Sequence, residues 1–140
     1  MAKDESFLRH LQASVLESEF AFLPPALSEV MLDMQFRARE AQYEASYPTA
    51  ESSIVVCNGI DAGRFLVNWS PDEARIIDIA LLPEFRGQGI GAALLRRVIK
   101  EGKPVGLQVR PDNPARRLYL RLGFEVVSET PMDCEMRFGR

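Results

Sequence analysis

The sequence is poor in the residues that build metal sites and disulfide frameworks. Its 140 residues include two cysteines and one histidine. Cys57 and Cys134 lie far apart with no CxxC spacing, and His10 stands alone near the N-terminus. Neither a zinc site nor a disulfide framework fits this set, so we expect no metal and a reduced, cytoplasmic protein.

Long apolar runs are also missing. No stretch approaches the roughly 18 to 20 residues of a membrane-spanning helix. The N-terminal MAKDESFLRHL lacks the basic and apolar regions of a secretory signal. With 46% hydrophobic and 26% charged residues, the composition is that of an ordinary globular protein. We expect no membrane partner and a single domain over residues 1–140.

Positive charge is not in excess, since the formal net charge is −3. No stripe of basic and aromatic residues is present, which disfavours nucleic acid as a partner. The charge is uneven: residues 1–85 carry 6 Lys and Arg against 14 Asp and Glu, whereas residues 86–140 carry 11 against 6. This is either chance variation on a solvated surface or a sign of ligands. The ligands would be an anion in the C-terminal half and a cation near the N-terminal half.

Two helices are predicted before any strand. Asp4 is expected to cap the first helix, which ends at FLPP. Its apolar face, at helical spacing, comprises Phe7, Leu8, Leu11, Val15 and Leu16. The second helix is predicted over about residues 27–43, and its apolar face comprises Leu27, Val30, Met31, Met34, Ala38 and Ala41.

The rest of the chain alternates strands and helices. The first two strands form a predicted hairpin with its loop between Asn58 and Gly63. In order, the elements are strands at 53–57, 63–69 and 74–82, a helix at 90–99, a strand at 105–109, a helix at about 114–122 and two closing strands. Asn113 and Gly123 are the expected caps of the last helix. The order ααβββαβαββ predicts a mixed α/β fold around one sheet, with a parallel or locally splayed pair in the middle.

Three glycines, Gly87, Gly89 and Gly91, stand in the stretch PEFRGQGIGAALL, between an apolar strand and a helix. Glycines let backbone N–H groups converge on one point, and the N-terminus of the following helix adds partial positive charge. We therefore expect an anion at this loop.

Two familiar phosphate motifs compete for the loop. A Walker A loop is excluded because no Lys-Ser or Lys-Thr pair follows the glycines. A dinucleotide fingerprint matches Gly87, Gly89 and Ala92, with Asp112 about 20 residues further on. However, PEFR separates these glycines from their strand, and too little chain follows for further βαβ units.

Two motifs together resemble the GNAT family of N-acetyltransferases. RGQGIGA at residues 86–92 is similar to the family's [RQ]-x-x-G-x-[GA] acetyl-CoA loop, and NPARRLYLRLGF to its later, tyrosine-bearing helix. The resemblance covers about residues 53–138 and is strongest from 76 to 124. It implies a GNAT-like fold, with a mostly antiparallel sheet and a splayed parallel pair. The family's first strand is expected to be missing or very short here, because only MAK precedes Asp4.

The resemblance implies acetyl-CoA as a cosubstrate. The amides that would bind the pyrophosphate of coenzyme A are those of Gly87, Gln88, Gly89, Ile90, Gly91 and Ala92. Arg86 would add charge near the phosphates, or is a solvated loop arginine. The pantetheine arm would bind like an additional strand to the backbone of Ile79, Ala80 and Leu81. Asn113 matches a further contact, although it lies six residues before Tyr119, where seven is more usual.

The implied chemistry is acyl transfer from a thioester to an amine. The attacking nitrogen must be neutral, so a base must take a proton. Tyr119 matches the family's tyrosine and would donate a proton to the leaving sulfur, or it is an amphipathic residue that closes the core. Asp78 is the candidate base, since some family members place an acidic residue there. It is otherwise a strand-end charge paired with an arginine such as Arg75.

The family's second helix helps to wall the acceptor side. The candidate acceptor residues are therefore Glu40, Tyr43, Glu44 and Tyr47, although QYEASYP fits an exposed helix end equally well. The acidic N-terminal half favours a cationic amine. The sequence thus predicts an acetyl-CoA-dependent N-acetyltransferase acting on a primary amine of a small molecule or protein. A catalytically inactive acyl-CoA-binding module, acting as a sensor or partner subunit, stays open, as does a homodimer.

Overall fold

The computed structural model describes the backbone of residues 2–20 and 23–139, and the side chains of residues 4–16 and 23–139. The elements are α1 (Ala2–Phe20), α2 (Pro25–Ser46), β1 (Glu51–Cys57), β2 (Ile60–Trp69), β3 (Ala74–Leu81), α3 (Ile90–Lys100), β4 (Val105–Val109), α4 (Ala115–Leu122), β5 (Glu125–Glu129) and β6 (Cys134–Phe138). A short 3-10 turn at Pro83–Phe85 lies between β3 and α3. The predicted order of helices and strands is confirmed.

All six strands join one mixed sheet in the order β1-β2-β3-β4-β6-β5. The pair β3–β4 is parallel, and the other pairs are antiparallel. Parallel pairing is short, because it joins only Ala74–Ile76 of β3 to Val105–Leu107 of β4. From residue 77 onward β3 stays paired with β2 but has left β4. The predicted splayed pair is therefore present in the middle of the sheet.

The main core lies where α3 and α4 pack on the sheet. Leu95 on α3, Leu107 on β4 and Met136 on β6 are fully buried, and Tyr119 on α4 belongs to the same cluster. On the other side of the sheet α1 contacts β2 and β3, and Glu40 on α2 forms an ion pair with Arg64 on β2. Helices thus cover the central strands from both sides, as burial of β3 and β4 requires.

Two local predictions near element ends were wrong. The β1–β2 turn consists of Asn58 and Gly59 alone, because Cys57 already pairs with Ile60. Both turn residues have positive φ, 52° and 78°, which is typical of a tight I′ hairpin turn. Asp4 does not cap α1, since this helix begins at Ala2. Its carboxylate instead lies in the first turn, where it complements the positive end of the helix.

The apolar face predicted for α2 lies on the solvent side of that helix. Leu27, Val30 and Met34 are 47%, 54% and 60% exposed. The packed face carries Phe36, which is 6% exposed, and Glu40, which pairs with Arg64. A buried aromatic ring and a half-buried ion pair thus orient this helix, and Leu27, Val30 and Met34 are left outside. On α1, Leu11 and Leu16 are buried as predicted, whereas Val15 is 42% exposed.

Gly63 sets the close approach of β2 to β3. A Cβ at this position would lie 2.1 Å from the carbonyl oxygen of Ala80, so a larger residue forces the two backbones apart. We expect Gly63→Ala to lower the free energy of unfolding by at least about 2 kcal/mol, as measured by urea denaturation. Gly106→Ala is the control, because its Cβ would meet only the flexible ends of Glu73 and Arg75. Equal losses in the two variants would contradict a backbone clash at Gly63.

Within the described part of the chain, no helix combines the length and the apolar character that crossing a membrane requires.

Candidate active site

The glycine loop forms an amide-lined N-terminus for α3. Gly87 and Gly89 adopt φ values of +75° and +81°, which only glycine takes up without strain. Gly89 is the N-cap of α3, and the first bond of that helix runs from the N–H of Ala93 to the carbonyl of Gly89, at 3.0 Å. In the described structure, the amides of residues 87–92 donate to no backbone carbonyl. They are therefore available to an anion at the positive end of α3.

Two side chains of the loop hold it to its own backbone. Arg86 Nε donates to the carbonyl oxygen of Leu81 at 3.0 Å, and Gln88 Nε2 donates to that of Glu84 at 2.9 Å. Arg86 thus ties the loop to the end of β3, and its exposed guanidinium keeps further donors free. Its prediction as a phosphate contact stays a prediction.

The splayed strand end lies directly before this loop. Ile79, Ala80 and Leu81 pair with β2 on one side but not with β4 on the other. Gly91 approaches the same stretch, since a Cβ there would lie 3.9 Å from Ile79 Cδ1 and 3.6 Å from Leu118 Cδ2 on α4. The strand end, the loop and α4 therefore meet at one place. An extended ligand could pair with the open edge of β3 there as a strand would.

Tyr119 lies on the α4 side of this meeting point. Its side chain is 6% exposed, and its ring centroid is 5.8 Å from that of Phe124. Burial, with the charge of Asp78 as a second cause, raises the pKa of the Tyr119 phenol to about 12. The hydroxyl therefore keeps its proton at neutral pH and can donate it.

Asp78 lies on β3 opposite Leu66, on the side of the sheet that Arg64 and Glu40 occupy. Burial raises the pKa of its carboxyl above the usual range, while the nearby charges of Arg39 and Arg64 oppose that shift. The pKa of the Tyr43 phenol on α2 is raised to about 12, mainly because the residue is buried and secondly because the charge of Asp78 is near. One carboxyl thus acts electrostatically on two tyrosines that lie on different helices, α2 and α4.

Arg64 is a residue of this region that the sequence analysis missed. It is 8% exposed, its Nη1 lies 2.5 Å from Glu40 Oε2, and its Nε donates to Ser52 Oγ at 3.3 Å. Its Cζ also lies 5.5 Å from the ring centroid of Tyr43, a cation–π distance. An arginine inside the apolar strand GRFLVNW was the signal, because a buried charge needs a partner.

The other predicted site residues are placed less centrally. Glu40 has its charge compensated by Arg64, and Glu44 is exposed on the last turns of α2. Tyr47 follows the helix and donates its N–H to the carbonyl of Tyr43 at 2.7 Å. Asn113 Oδ1 accepts from the N–H of Ala115 at 2.9 Å, so its side chain binds the start of α4, whose N-cap is Pro114 rather than the predicted Asn113. No contact among the described residues brings Glu44, Tyr47 or Asn113 to the strand splay, whereas the charge of Glu40 adds to the rise that burial causes in the pKa of Asp78.

A metal site is not indicated where side chains are described: no three His, Cys, Asp or Glu residues gather there in a metal-binding arrangement.

A comparison with solved structures finds the same fold. The chain superposes on the PaiA N-acetyltransferase of Thermoplasma acidophilum, solved in complex with coenzyme A, with a TM-score of 0.71 and 17% identity, over 99% of this chain and 94% of that one. The ribosomal-protein-S18-alanine N-acetyltransferase of Escherichia coli matches with a TM-score of 0.55 and 28% identity, over 64% and 68%. The mixed sheet with its splayed pair is therefore the fold of known acetyltransferases.

Sequence comparison adds a curated relative and a family. The [ribosomal protein bS18]-alanine N-acetyltransferase of Haemophilus influenzae is 43% identical over 61 residues, which are 40% of this chain and 42% of that protein. The chain thus spans about two fifths of the length of the curated relatives it matches. The family described as the acetyltransferase (GNAT) family matches residues 17–124. Because this match covers most of the chain, the predicted fold and family are confirmed: the protein belongs to the acetyltransferase (GNAT) family.

Proposed function

We propose that this chain is an acetyl-CoA-dependent N-acetyltransferase that acts on a primary amine, with residues 1–140 as a single domain. The observation that carries the proposal is the junction of the amide-lined loop with the splayed end of β3. The loop amides of residues 87–92 have no backbone acceptor among the described residues, and Ile79–Leu81 offer one open strand edge. A ligand with phosphates at one end and an amide-bearing arm fits both features, and coenzyme A has this form.

The proposed reaction needs one acid and one base. The neutral amine attacks the thioester carbonyl, so that an N–C bond forms and the C–S bond breaks. Asp78 takes the proton that the amine loses, directly or through water, and its raised pKa makes it a stronger base than an exposed aspartate. Tyr119 gives its proton to the departing sulfur. The products are an N-acetyl amide and free coenzyme A.

Tyr119 can be tested apart from binding. Tyr119→Phe keeps the ring that packs on Phe124 and removes only the hydroxyl. We expect kcat to fall by at least about tenfold, since general acids contribute on the order of 100-fold or more. The dissociation constant for acetyl-CoA, measured by calorimetry, should change little.

Tyr43→Phe is the matched variant on the acceptor side. Because Tyr43 lies on α2, we expect its loss to raise KM for the amine more than it lowers kcat. An unchanged kcat for Tyr119→Phe would contradict the role of the Tyr119 hydroxyl as the acid.

For the acceptor, we propose an N-terminal α-amine, with an alanine N-terminus as the first candidate. The names of the relatives in Haemophilus influenzae and Escherichia coli support this choice. An α-amine has an ordinary pKa of about 7.7–8.0, against about 10.4 for a lysine side chain, so more of it is neutral at pH 7. The acidic N-terminal half, with 14 Asp and Glu against 6 Lys and Arg in residues 1–85, favours a small cationic amine as the second candidate.

Peptides distinguish these acceptors. The enzyme is incubated with acetyl-CoA and either an alanine-initiated peptide, its N-terminally blocked and lysine-bearing counterpart, or a polyamine, and acetylation is read by mass spectrometry. We expect the free α-amine to be acetylated fastest. Preferred acetylation of the polyamine would replace the first candidate by the second. Tight acetyl-CoA binding with no acetylation of any amine would indicate an inactive acyl-CoA-binding module.

A further inference from the structure

The solvent side of α2 carries an apolar seam, defined here as Leu27, Met31, Met34, Ala38, Ala41 and Ala45. Successive members are separated by four and three residues in alternation, which is the spacing of a coiled-coil interface. Leu27 and Met34 are 47% and 60% exposed, and the three alanines are exposed as well. Val30, next to the seam, is 54% exposed. The apolar surface is therefore continuous along most of the helix.

The seam points away from the rest of the molecule. Phe36 is buried and receives the guanidinium of Arg9 at 4.6 Å from its ring centroid. Asp33 pairs with Arg9 of α1, and Glu40 pairs with Arg64 of β2. At about 100° per residue, these inward residues lie about 120° to 180° from the centre of the seam. Among the described side chains, the ion pairs and the buried ring that hold α2 to α1 and to the sheet thus involve none of the seam residues.

The order of side chains along the seam selects its partner. The large residues come first and the alanines come last. In an antiparallel pair of α2 helices, Leu27 faces Ala45 of the partner subunit, Met31 faces the partner's Ala41, and Met34 faces the partner's Ala38. Each large side chain then meets a small one, so the two helices keep one separation throughout. A parallel pair would crowd the Leu and Met end and leave a gap between the alanines.

Charge does not oppose this pairing. Arg37 is the charged residue nearest the two-fold axis, and its Nε lies 3.2 Å from Asp33 Oδ2 of the same helix.

We propose that two copies of this chain form a symmetric homodimer by antiparallel packing of their α2 seams. The seam spans about 27 Å, or about two and a half heptads. This is at the small end for protein interfaces, so the dimer is expected to dissociate on dilution through the micromolar range.

Sedimentation velocity over a range of concentrations tests the dimer. Met34→Glu places a carboxylate against the partner's Ala38 and close to the same carboxylate of the partner subunit. We therefore expect the dimer dissociation constant to rise by at least about tenfold. Met132→Glu is the control, because Met132 is 62% exposed and lies outside the seam. Ala38→Glu repeats the test at a second position, and circular dichroism confirms that each variant is folded. A wild type that stays monomeric at high concentration would overturn the proposal, as would a dimer that both seam variants leave intact.

Cysteine cross-linking tests the orientation. In a Cys57→Ser background, Leu27→Cys and Ala45→Cys are prepared separately. An antiparallel dimer gives a disulfide-linked product only when the two variants are mixed. Cross-linking of Leu27→Cys alone would contradict the antiparallel arrangement.

Discussion

Gly89→Asp should reduce the affinity for acetyl-CoA by at least about 100-fold. Gly89 is the N-cap of α3 at a φ of +81°, next to the amides to which we assign the pyrophosphate. An aspartate there brings a negative charge to the place where the ligand is negative. Two unit charges 4 Å apart near a protein surface repel by about 4 kcal/mol, which exceeds the free energy of a 100-fold change. Calorimetry with acetyl-CoA measures the loss.

A matched variant separates charge at the loop from strain in the backbone. Gly102 follows α3 and has a φ of +94°, and a Cβ there meets nothing within 4 Å, as at Gly89. Gly102→Asp therefore carries similar backbone strain without facing the proposed phosphate site. We expect it to bind acetyl-CoA as the wild type does. If Gly89→Asp also binds normally, the pyrophosphate lies elsewhere.

Asp78→Asn should weaken catalysis and stabilise the fold at the same time. The amide cannot accept a proton from the amine, so we expect kcat/KM at pH 7 to fall by at least about 100-fold. In the wild type, kcat/KM should rise with pH through the raised pKa of Asp78, and that limb should be missing from the residual activity of the variant. Asp72→Asn, in the exposed turn before β3, is the control and should leave the profile unchanged.

The stability effect has a defined sign. Burial raises the pKa of Asp78 in the folded protein, so the folded state binds this proton more tightly than the unfolded state does. The contribution of Asp78 to stability is therefore fully present below the ordinary aspartate range and is lost as pH rises through the raised pKa. The asparagine variant lacks this fall, and its melting temperature should exceed that of the wild type at pH 7. A variant that is less stable at neutral pH and fully active would exclude both roles of Asp78.

Local signals in the sequence were sufficient for the loop and for the order of the elements. Gly87 and Gly89 take positive φ, a backbone conformation that glycine adopts without strain. The splay between β3 and β4 also followed from the family resemblance. The loop and the element order depend on residues that are close in the sequence, so a pattern of glycines and apolar spacing is enough to predict them.

The orientation of α2 could not be predicted in this way. The solvent side of α2 carries more aliphatic residues than the opposite side, yet it is the opposite side, with Phe36 and Glu40, that packs inward. Arg64 decides the outcome, because a buried guanidinium on β2 needs the carboxylate of Glu40, which lies 24 residues earlier in the chain. Periodicity within one helix contains no information about such a partner. The coupling of Asp78 to Tyr43 and Tyr119 was hidden for the same reason, since it joins α2, β3 and α4.

Release of free coenzyme A most directly tests whether this chain is an N-acetyltransferase. A thiol reagent measures the free coenzyme A that forms from acetyl-CoA. The wild type, Asp78→Asn and Gly89→Asp are each assayed with and without an alanine-initiated peptide. We predict saturable thiol release that requires the peptide and is lost in both variants. Peptide-independent release, or equal rates in wild type and both variants, would contradict acetyl transfer at the junction of the loop and β3.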